Sequence, residues 1–291
     1  MLAQLLQLLF SGLTVGAIYA LAALGFSLIY NASGVINFAQ GEFIMLGGMA
    51  AVALTSMGVP LPLALLLAMA LGALAGVLIA KFAIEPAGRA DVVQLIIITI
   101  GASLVLRGLV QSVLGKGTFA LPAFSSDTPL ELAGATLLPQ SLWVIGLGAV
   151  VVALLAWFFG RTLTGKAMLA TACNKLAAEL TGINTRAILL LAFLLSGALG
   201  ALGGVLIAPI SYTSYDVGIM LGLKGFVAAT LGGLGSGLGA VAGGLLLGVL
   251  EVMTAGYISS AYKDAMPFVL VLLVLFFMPR GMFGAKLSDR V

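Results

Sequence analysis

Apolar residues run along this chain in long blocks, separated by short breaks rich in glycine, proline or charge. The blocks lie at roughly 6–30, 38–57, 61–80, 92–114, 140–160, 186–208, 217–233, 235–257 and 264–279. Within them apolar residues follow one another without alternation, so the strands of a membrane β-barrel are not indicated. A bilayer crossing takes about 20 such residues. In hydrocarbon each backbone N–H and C=O must be satisfied inside its own segment, which makes the blocks helices. The pattern predicts an all-α protein: a polytopic transmembrane bundle of about 8–9 membrane segments. The blocks 38–57 and 217–233, interrupted by glycine and polar residues, read as candidates for broken or re-entrant helices.

The breaks carry the charges that set orientation. Between 161 and 186 stand Arg161, Lys166, Lys175 and Arg186 against one acid, Glu179. The tail holds Arg280, Lys286 and Arg290 against Asp289, whereas 115–139 holds Lys116 against Asp127 and Glu131. Cations gather on the cytoplasmic side of membrane proteins, so 161–186 and the tail are expected inside and 115–139 outside. Two spans then put the Lys81–Asp91 break inside. The side of the N-terminus stays open, because it depends on whether 38–57 crosses. The pairs Gly12/Gly16, Gly72/Gly76, Gly200/Gly204, Gly239/Gly243 and Gly244/Gly248 predict close helix contacts, since small residues let backbones approach where lipid offers no hydrophobic drive.

Composition strengthens this picture. Of 291 residues, 62% are hydrophobic and 8% charged, against roughly 25% charged in a soluble domain. A single membrane domain over 1–291 is expected, with 161–186 as a cytoplasmic segment within it. The net charge of +3 is scattered and forms no nucleic-acid-binding stripe. Histidine is absent and Cys173 is the lone cysteine, which removes the commonest metal ligand and any internal disulfide. The N-terminus lacks the basic start of a cleavable signal peptide. No paired carboxylates or nucleophile with an evident base can be assembled. No catalytic or metal site and no bound cofactor are therefore expected. One decoy is set aside: Gly160 to Lys166 has the spacing of a phosphate-binding loop, but Ala167 stands where the magnesium-holding hydroxyl belongs.

Two groups of residues carry candidate function. Across Gly165–Asn184, Leu169, Ala172, Cys173, Leu176, Leu180 and Ile183 recur at helical spacing, while Thr171, Lys175 and Glu179 fall elsewhere. Gly182 suits a helix end, and Asn184 or Thr185 the start of the next span. This predicts a short amphipathic helix, either lying on the membrane surface or gripped by another protein. The second group is ionisable residues inside spans, which are functional candidates by default. Asn37, Gln40, Gly41 and Glu42 form a polar patch expected at a gate or pathway. Arg107, Lys224 and Glu251 are expected to serve structure, with Glu251 pairing with Arg107 or Lys224, or with the cations reaching to the outer surface.

The residues together resemble a family. Gly12 to Leu21, Leu28-Ile29-Tyr30, Ile36 to Glu42 and Met45-Leu46-Gly47-Gly48 look like the N-terminal signature of ABC permeases for branched-chain amino acids, of the LivH type. Gly165-Lys166-Ala167 through Leu180 to Asn184 resembles that family's coupling segment. Lys224-Gly225-Phe226, Leu231 to Ser236, Gly239 to Gly244, Tyr262-Lys263-Asp264 and Met278 to Gly281 resemble its C-terminal part.

The resemblance implies a multi-pass permease of the bacterial inner membrane, taking up leucine, isoleucine or valine. It also implies a second related permease, two cytoplasmic ATPases carrying the ATP, and an external solute-binding protein. The coupling residues would be Gly165, Lys166, Leu169, Cys173, Lys175, Leu176, Glu179, Leu180 and Gly182. Two departures stand out: Gln40 where the family commonly has histidine, and Cys173-Asn174-Lys175 where it commonly has acidic residues. Related permeases carry urea, amides or polar amino acids. An ion-coupled secondary transporter with Glu42 as its ion site is the other alternative; the sequence shows no detectable inverted repeat, which weighs against it.

Overall fold

The computed structural model describes residues 2–88, 90–125, 128–132 and 134–284. Asp127, Lys286, Asp289 and Arg290, used above to weigh orientation, lie outside the described residues. The chain forms α1 (Leu2–Ser33), α2 (Gln40–Ser56), α3 (Leu61–Ile79), the short α4 (Glu85–Ala87), α5 (Val92–Leu114), α6 (Pro139–Arg161), α7 (Leu163–Cys173), α8 (Lys175–Leu180), α9 (Thr185–Ser211), α10 (Val217–Gly232), α11 (Gly237–Tyr257) and α12 (Met266–Phe277). A π-helical turn at Ala80–Ile84 joins α3 to α4, and a hairpin of β1 (Leu130–Leu132) and β2 (Ala135–Leu137) precedes α6. Each apolar block of the sequence becomes one helix. Six helices among the described residues, Leu2–Ser33, Leu61–Ala87, Val92–Leu114, Pro139–Arg161, Thr185–Ser211 and Gly237–Tyr257, are long and apolar enough to cross a membrane. Segments α10 and α12 are apolar but shorter. The candidates for broken helices, α2 and α10, are each continuous; the break lies before α2, at residues 34–39.

Close approach of backbones holds the bundle. A methyl group at Gly204 in α9 would come within 1.8 Å of the Ile44 carbonyl oxygen in α2, and one at Gly41 within 2.0 Å of the Gly218 carbonyl in α10. Gly16 of α1 meets Gly244 and Leu245 of α11, while Gly72 of α3 meets Gly197 of α9. Glycine at these positions lets the backbones come into van der Waals contact, which gains dispersion between helices that hydrophobicity does not drive together in lipid. The middle of α1 and of α9 is buried from all sides; α5 and α6 are peripheral and expose Leu104, Val105, Leu109, Leu142, Val150 and Leu154.

The packing repeats in inverted form. Segment α1 packs antiparallel on α11 as α9 packs antiparallel on α3, α1 meets α10 as α9 meets α2, and α2 meets α3 as α10 meets α11. In each corresponding pair, α1 with α9, α2 with α10 and α3 with α11, the two helices run in opposite directions. The fold thus carries an inverted repeat that is not detectable in the sequence. The symmetry resides in where small residues touch, and little in which side chains surround them, so a sequence comparison does not register it.

The two ends of the bundle separate cleanly. At one end the start of α1 meets the hairpin, with the Thr136 amide donating to Gln7 at 2.7 Å, and Phe119 pairs with Thr213 at the close of α9. At the other end lie α4, α7 and α8, and Asn31 of α1 donates to the Gly235 carbonyl at 2.9 Å. The start of α1 thus shares an end with the loop read as external.

The 161–186 segment departs from its expected form. It is two helices rather than one: Asn174 leaves helical geometry and caps α8 by accepting from the Ala177 amide at 3.0 Å. Thr162 caps α7 and Asn184 caps α9 in the same way, and Gly182 takes φ +87° at the end of α8. The bundle buries a face other than the apolar stripe. Gly165, Met168, Thr171 and Ala178 are buried, whereas Leu169, Leu176 and Leu180 are 45%, 67% and 81% exposed. The cause is Gly165, where a Cβ would lie 2.2 Å from the Phe158 carbonyl. That close contact turns the glycine side of α7 toward α6 and leaves Leu169 outward, while in α8 it is Ala178 that is buried.

Candidate functional site

The polar break before α2 is built from short-range hydrogen bonds. Gly34 takes φ +72° as α1 ends, and its amide donates to the Tyr30 carbonyl at 2.7 Å. Asn37 accepts from the Ala39 amide at 3.1 Å, and the Phe38 amide donates to Thr99 of α5 at 3.2 Å. The Gln40 amide nitrogen donates to the Ser196 carbonyl of α9 at 3.3 Å. Ser196 in turn holds the Gln40 amide oxygen and donates to the Gly25 carbonyl at 2.9 Å. Asn37 and Gln40 are at most 1% exposed; the Phe38 amide ties the break to α5 and Gln40 ties it to α9, while Asn37 bonds within the break and its Nδ2 has no hydrogen-bond partner among the described residues. Gly41 is enclosed by Gly218 and Gly222 of α10.

Glu42, in the first turn of α2, meets Arg107 of α5. Its Oε1 forms an ion pair with the Arg107 guanidinium and accepts from the Ser103 hydroxyl at 2.9 Å. This corrects the expectation for Arg107, whose partner is Glu42 rather than Glu251 or the outer surface. Ser103 sits one helical turn before Arg107, the spacing that places both on one face, and was not singled out from the sequence. The pair borders a cleft of about 160 Å³ between α5 and α10, walled by Phe26, Phe38 and Phe226. Phe226 packs on the other two rings at centroid distances of 5.9 and 6.0 Å.

A second charged cluster ties α1, α10, α11 and the loop before α12. Lys224 Nζ lies 2.7 Å from Glu251 Oε1 and 2.6 Å from Asp264 Oδ1. The Tyr19 hydroxyl donates to Glu251 Oε2 at 2.8 Å, and Lys224 Nζ stands 5.8 Å from the Tyr19 ring centroid. Of the two partners anticipated for Glu251, Lys224 is the one in place. Tyr19 and Asp264 complete the cluster; an isolated tyrosine in an apolar helix and an aspartate in a connecting loop carry no positional signal to Lys224.

Asp264 is half-exposed, and its hydrogen bond to Lys224 holds its carboxyl below the ordinary carboxylate range. Its contribution is therefore present above the unfolded-chain value, about 3.9, and is lost as pH falls through the lowered folded value. Exposure keeps it small, about 0–1 kcal/mol. Accordingly, the melting temperatures of the wild type and Asp264→Asn should differ modestly at pH 7 and converge as pH is lowered past about 3.9; a gap that widened on acidification would refute the assignment.

The remaining candidate surface is the outward face of α7 and α8, where Leu163, Leu169, Leu176 and Leu180 are exposed beside Lys166, Cys173 and Lys175. Glu179 accepts from Thr185 at 2.7 Å, which fixes α8 to the start of α9. Among the described residues no group of His, Cys, Asp and Glu is arranged to hold a metal ion.

Comparison with known proteins places this geometry. Residues 8–275 match the family model described as "Branched-chain amino acid transport system / permease component". The high-affinity branched-chain amino acid transport system permease protein LivH of Salmonella typhimurium is 34% identical, over 98% of this chain and 97% of that protein. The corresponding BraD of Pseudomonas aeruginosa is 33% identical, over 98% of each. Among solved structures, PsaBC from Streptococcus pneumoniae superimposes over 98% of both chains with a TM-score of 0.52 at 14% sequence identity, a likeness of fold alone.

Proposed function

Because the chain belongs to the branched-chain amino acid transport permease family, we propose that it is the membrane-embedded permease of an ABC importer for leucine, isoleucine and valine. The observation that carries this is the match to LivH along 98% of the chain, which takes in the charged clusters, the break before α2 and the α7–α8 segment together. In this reading the chain crosses the bacterial inner membrane about 8–9 times, with α7 and α8 on the cytoplasmic side. It pairs with a second related permease and binds two ATPases, which hold the ATP. An external binding protein delivers the substrate.

The leucines turned outward on α7 and α8 support ATPase docking. An apolar row that its own bundle leaves uncovered, flanked by Lys166 and Lys175, suits a partner groove. Gly165 anchors the lever to α6, and Gly182 and Glu179 anchor it to α9. Nucleotide-driven movement of the partners would then be passed to α6 and α9. Such a shift requires that nucleotide bind the two arrangements unequally. Glu42, together with the break at Asn37, Gln40 and Gly41, lies where α2 meets α5 and α10, a place where helix movement would open or shut the adjoining cleft.

Affinity purification from native membranes should recover a second permease and two ATPases, and the complex should import leucine with ATP. Charge reversal at Lys175 combined with Leu176→Asp should cut ATPase recovery by about tenfold or more while leaving the permease folded. Unchanged recovery would remove the docking surface. The inverted arrangement of helices is shared with ion-coupled transporters, so the energy source is the discriminating measurement. Uptake by the purified chain alone under an ion gradient would overturn the ABC reading. Binding by the cognate binding protein, measured for branched-chain and polar amino acids, urea and amides, decides the substrate.

A further inference from the structure

The end of the bundle that carries α4, α7 and α8 holds a cavity of about 720 Å³. It lies between the end of α1, the turn from α4 into α5 and the start of α9, and Lys175 and Glu179 of α8 form part of its wall. With Glu85 and Arg186 these residues line it by charged side chains, which keep such a space hydrated. Four lining residues, Ser33, Val35, Ile84 and Leu95, also line a second void of only about 10 Å³, which reaches Asn37, Thr99 and Phe193. One residue further on, Phe38 and Ile100 wall the cleft at Glu42 and Arg107, and the Phe38 amide is bonded to Thr99. One face of α5 follows this order. Leu95 borders the cavity and the small void, Thr99 the small void, and Ser103 the cleft. Steps of four residues keep all three on one side of the helix, each about 6 Å deeper than the last.

We infer that these three spaces are the inner half of the cargo route, with the large cavity as its cytoplasmic vestibule and Val35, Ile84 and Leu95 as its gate. This rests on the transport reading and deepens it, by placing that half of the route inside one permease chain, along α5. The gate is shut in this structure: a void of about 10 Å³ holds at most one water molecule, and Val35 and Ile84 are only 5% and 9% exposed. Apolar side chains suit the barrier, because a narrow constriction without polar partners sheds water. Two of the three stand where the backbone leaves α-helical geometry. Val35 belongs to the break at residues 34–39, and Ile84 closes the π-helical turn Ala80–Ile84. Such places let a segment shift without dismantling a helix. The lever is adjacent, since α8 borders the vestibule through Lys175 and Glu179, and Glu179 is bonded to Thr185 of α9 at 2.7 Å. Movement of α8 by an ATPase therefore acts directly on the vestibule wall.

The test uses the complete transporter in inside-out membrane vesicles, with Cys173→Ser so that an added cysteine is the only thiol of this chain. Thr99→Cys lies beyond the gate. A membrane-impermeant maleimide is added at the cytoplasmic face without nucleotide, and the mass shift of the permease is followed. Labelling should be slow, and Val35→Ala combined with Leu95→Ala should raise its rate about tenfold or more, as an opened barrier to a buried group implies. Leu154→Ala, on the outer face of α6, should leave it unchanged. Labelling as fast behind the intact gate as behind the alanine pair would refute the gate. Separately, Leu95→Trp narrows the same point and should lower ATP-driven leucine uptake about tenfold or more while ATP hydrolysis continues. In an assembled Leu95→Trp transporter, uptake at the wild-type rate, or hydrolysis lost in step with uptake, overturns the gate and leaves the transport function standing. A wild-type transporter that imports no leucine with ATP refutes the transport function instead, and the labelling of Thr99→Cys still decides the gate.

Discussion

Replacing Lys224 with methionine is expected to cost about 3–5 kcal/mol of folded stability, the range for removing one member of a buried ion pair. Lys224 and Glu251 have side chains only 7% and 8% exposed. Without the ammonium, Glu251 keeps the Tyr19 hydroxyl as its polar partner but loses its compensating charge. Asp264, half-exposed, recovers solvation from water. The loss therefore falls mainly on Glu251, and the double variant Lys224→Met with Glu251→Gln should regain more than half of it. Glu251→Gln alone should lower folded yield more than it alters substrate preference. Folded yield by size exclusion and thermal unfolding in detergent measure both effects. A Lys224→Met protein as stable as the wild type would show that the cluster has no structural role.

Gly204→Val should prevent recovery of a folded protein altogether. The first added carbon meets the Ile44 carbonyl oxygen at 1.8 Å and the Gly48 amide nitrogen at 2.9 Å. These are backbone atoms of α2 and have no rotamer to turn away. Relief requires α2 and α9 to separate, which dismantles contacts along both helices; overpacking of this kind exceeds the roughly 1–3 kcal/mol of an ordinary core misfit. Gly101→Ala in α5 is the control, because nothing lies within 4 Å of a Cβ added there. Equal yields from Gly204→Val and Gly101→Ala would contradict the α2–α9 contact.

The glycine pairs show how far sequence reading extends. Gly12/Gly16, Gly72/Gly76 and Gly200/Gly204 are visible as spaced small residues, and each does lie against another helix. Which helix it meets is not encoded in the spacing. The same holds for charge. Glu42, Arg107, Lys224 and Glu251 stand out as ionisable residues in apolar blocks, but their pairing depends on α2 lying beside α5 and α10 beside α11. Ser103, Tyr19 and Asp264 are ordinary residues until those helices meet.

The 161–186 segment divides the same way. Its caps at Asn184 and Gly182 are local, involve neighbours in the chain, and were legible. Its buried face depends on Gly165 reaching the backbone of α6, a contact of helix with helix that periodicity does not encode. Sequence by itself determined the helical, membrane-spanning character of this protein and, to within a few residues, the helices of its nine apolar blocks, because a hydrocarbon layer of fixed thickness demands uninterrupted apolar runs whose backbone bonds close internally. The tertiary structure alone decided the inverted pairing, the partners of each buried charge and the free face of α7 and α8. In lipid no hydrophobic gradient distinguishes one apolar helix face from another, and only the steric fit of small residues selects among them.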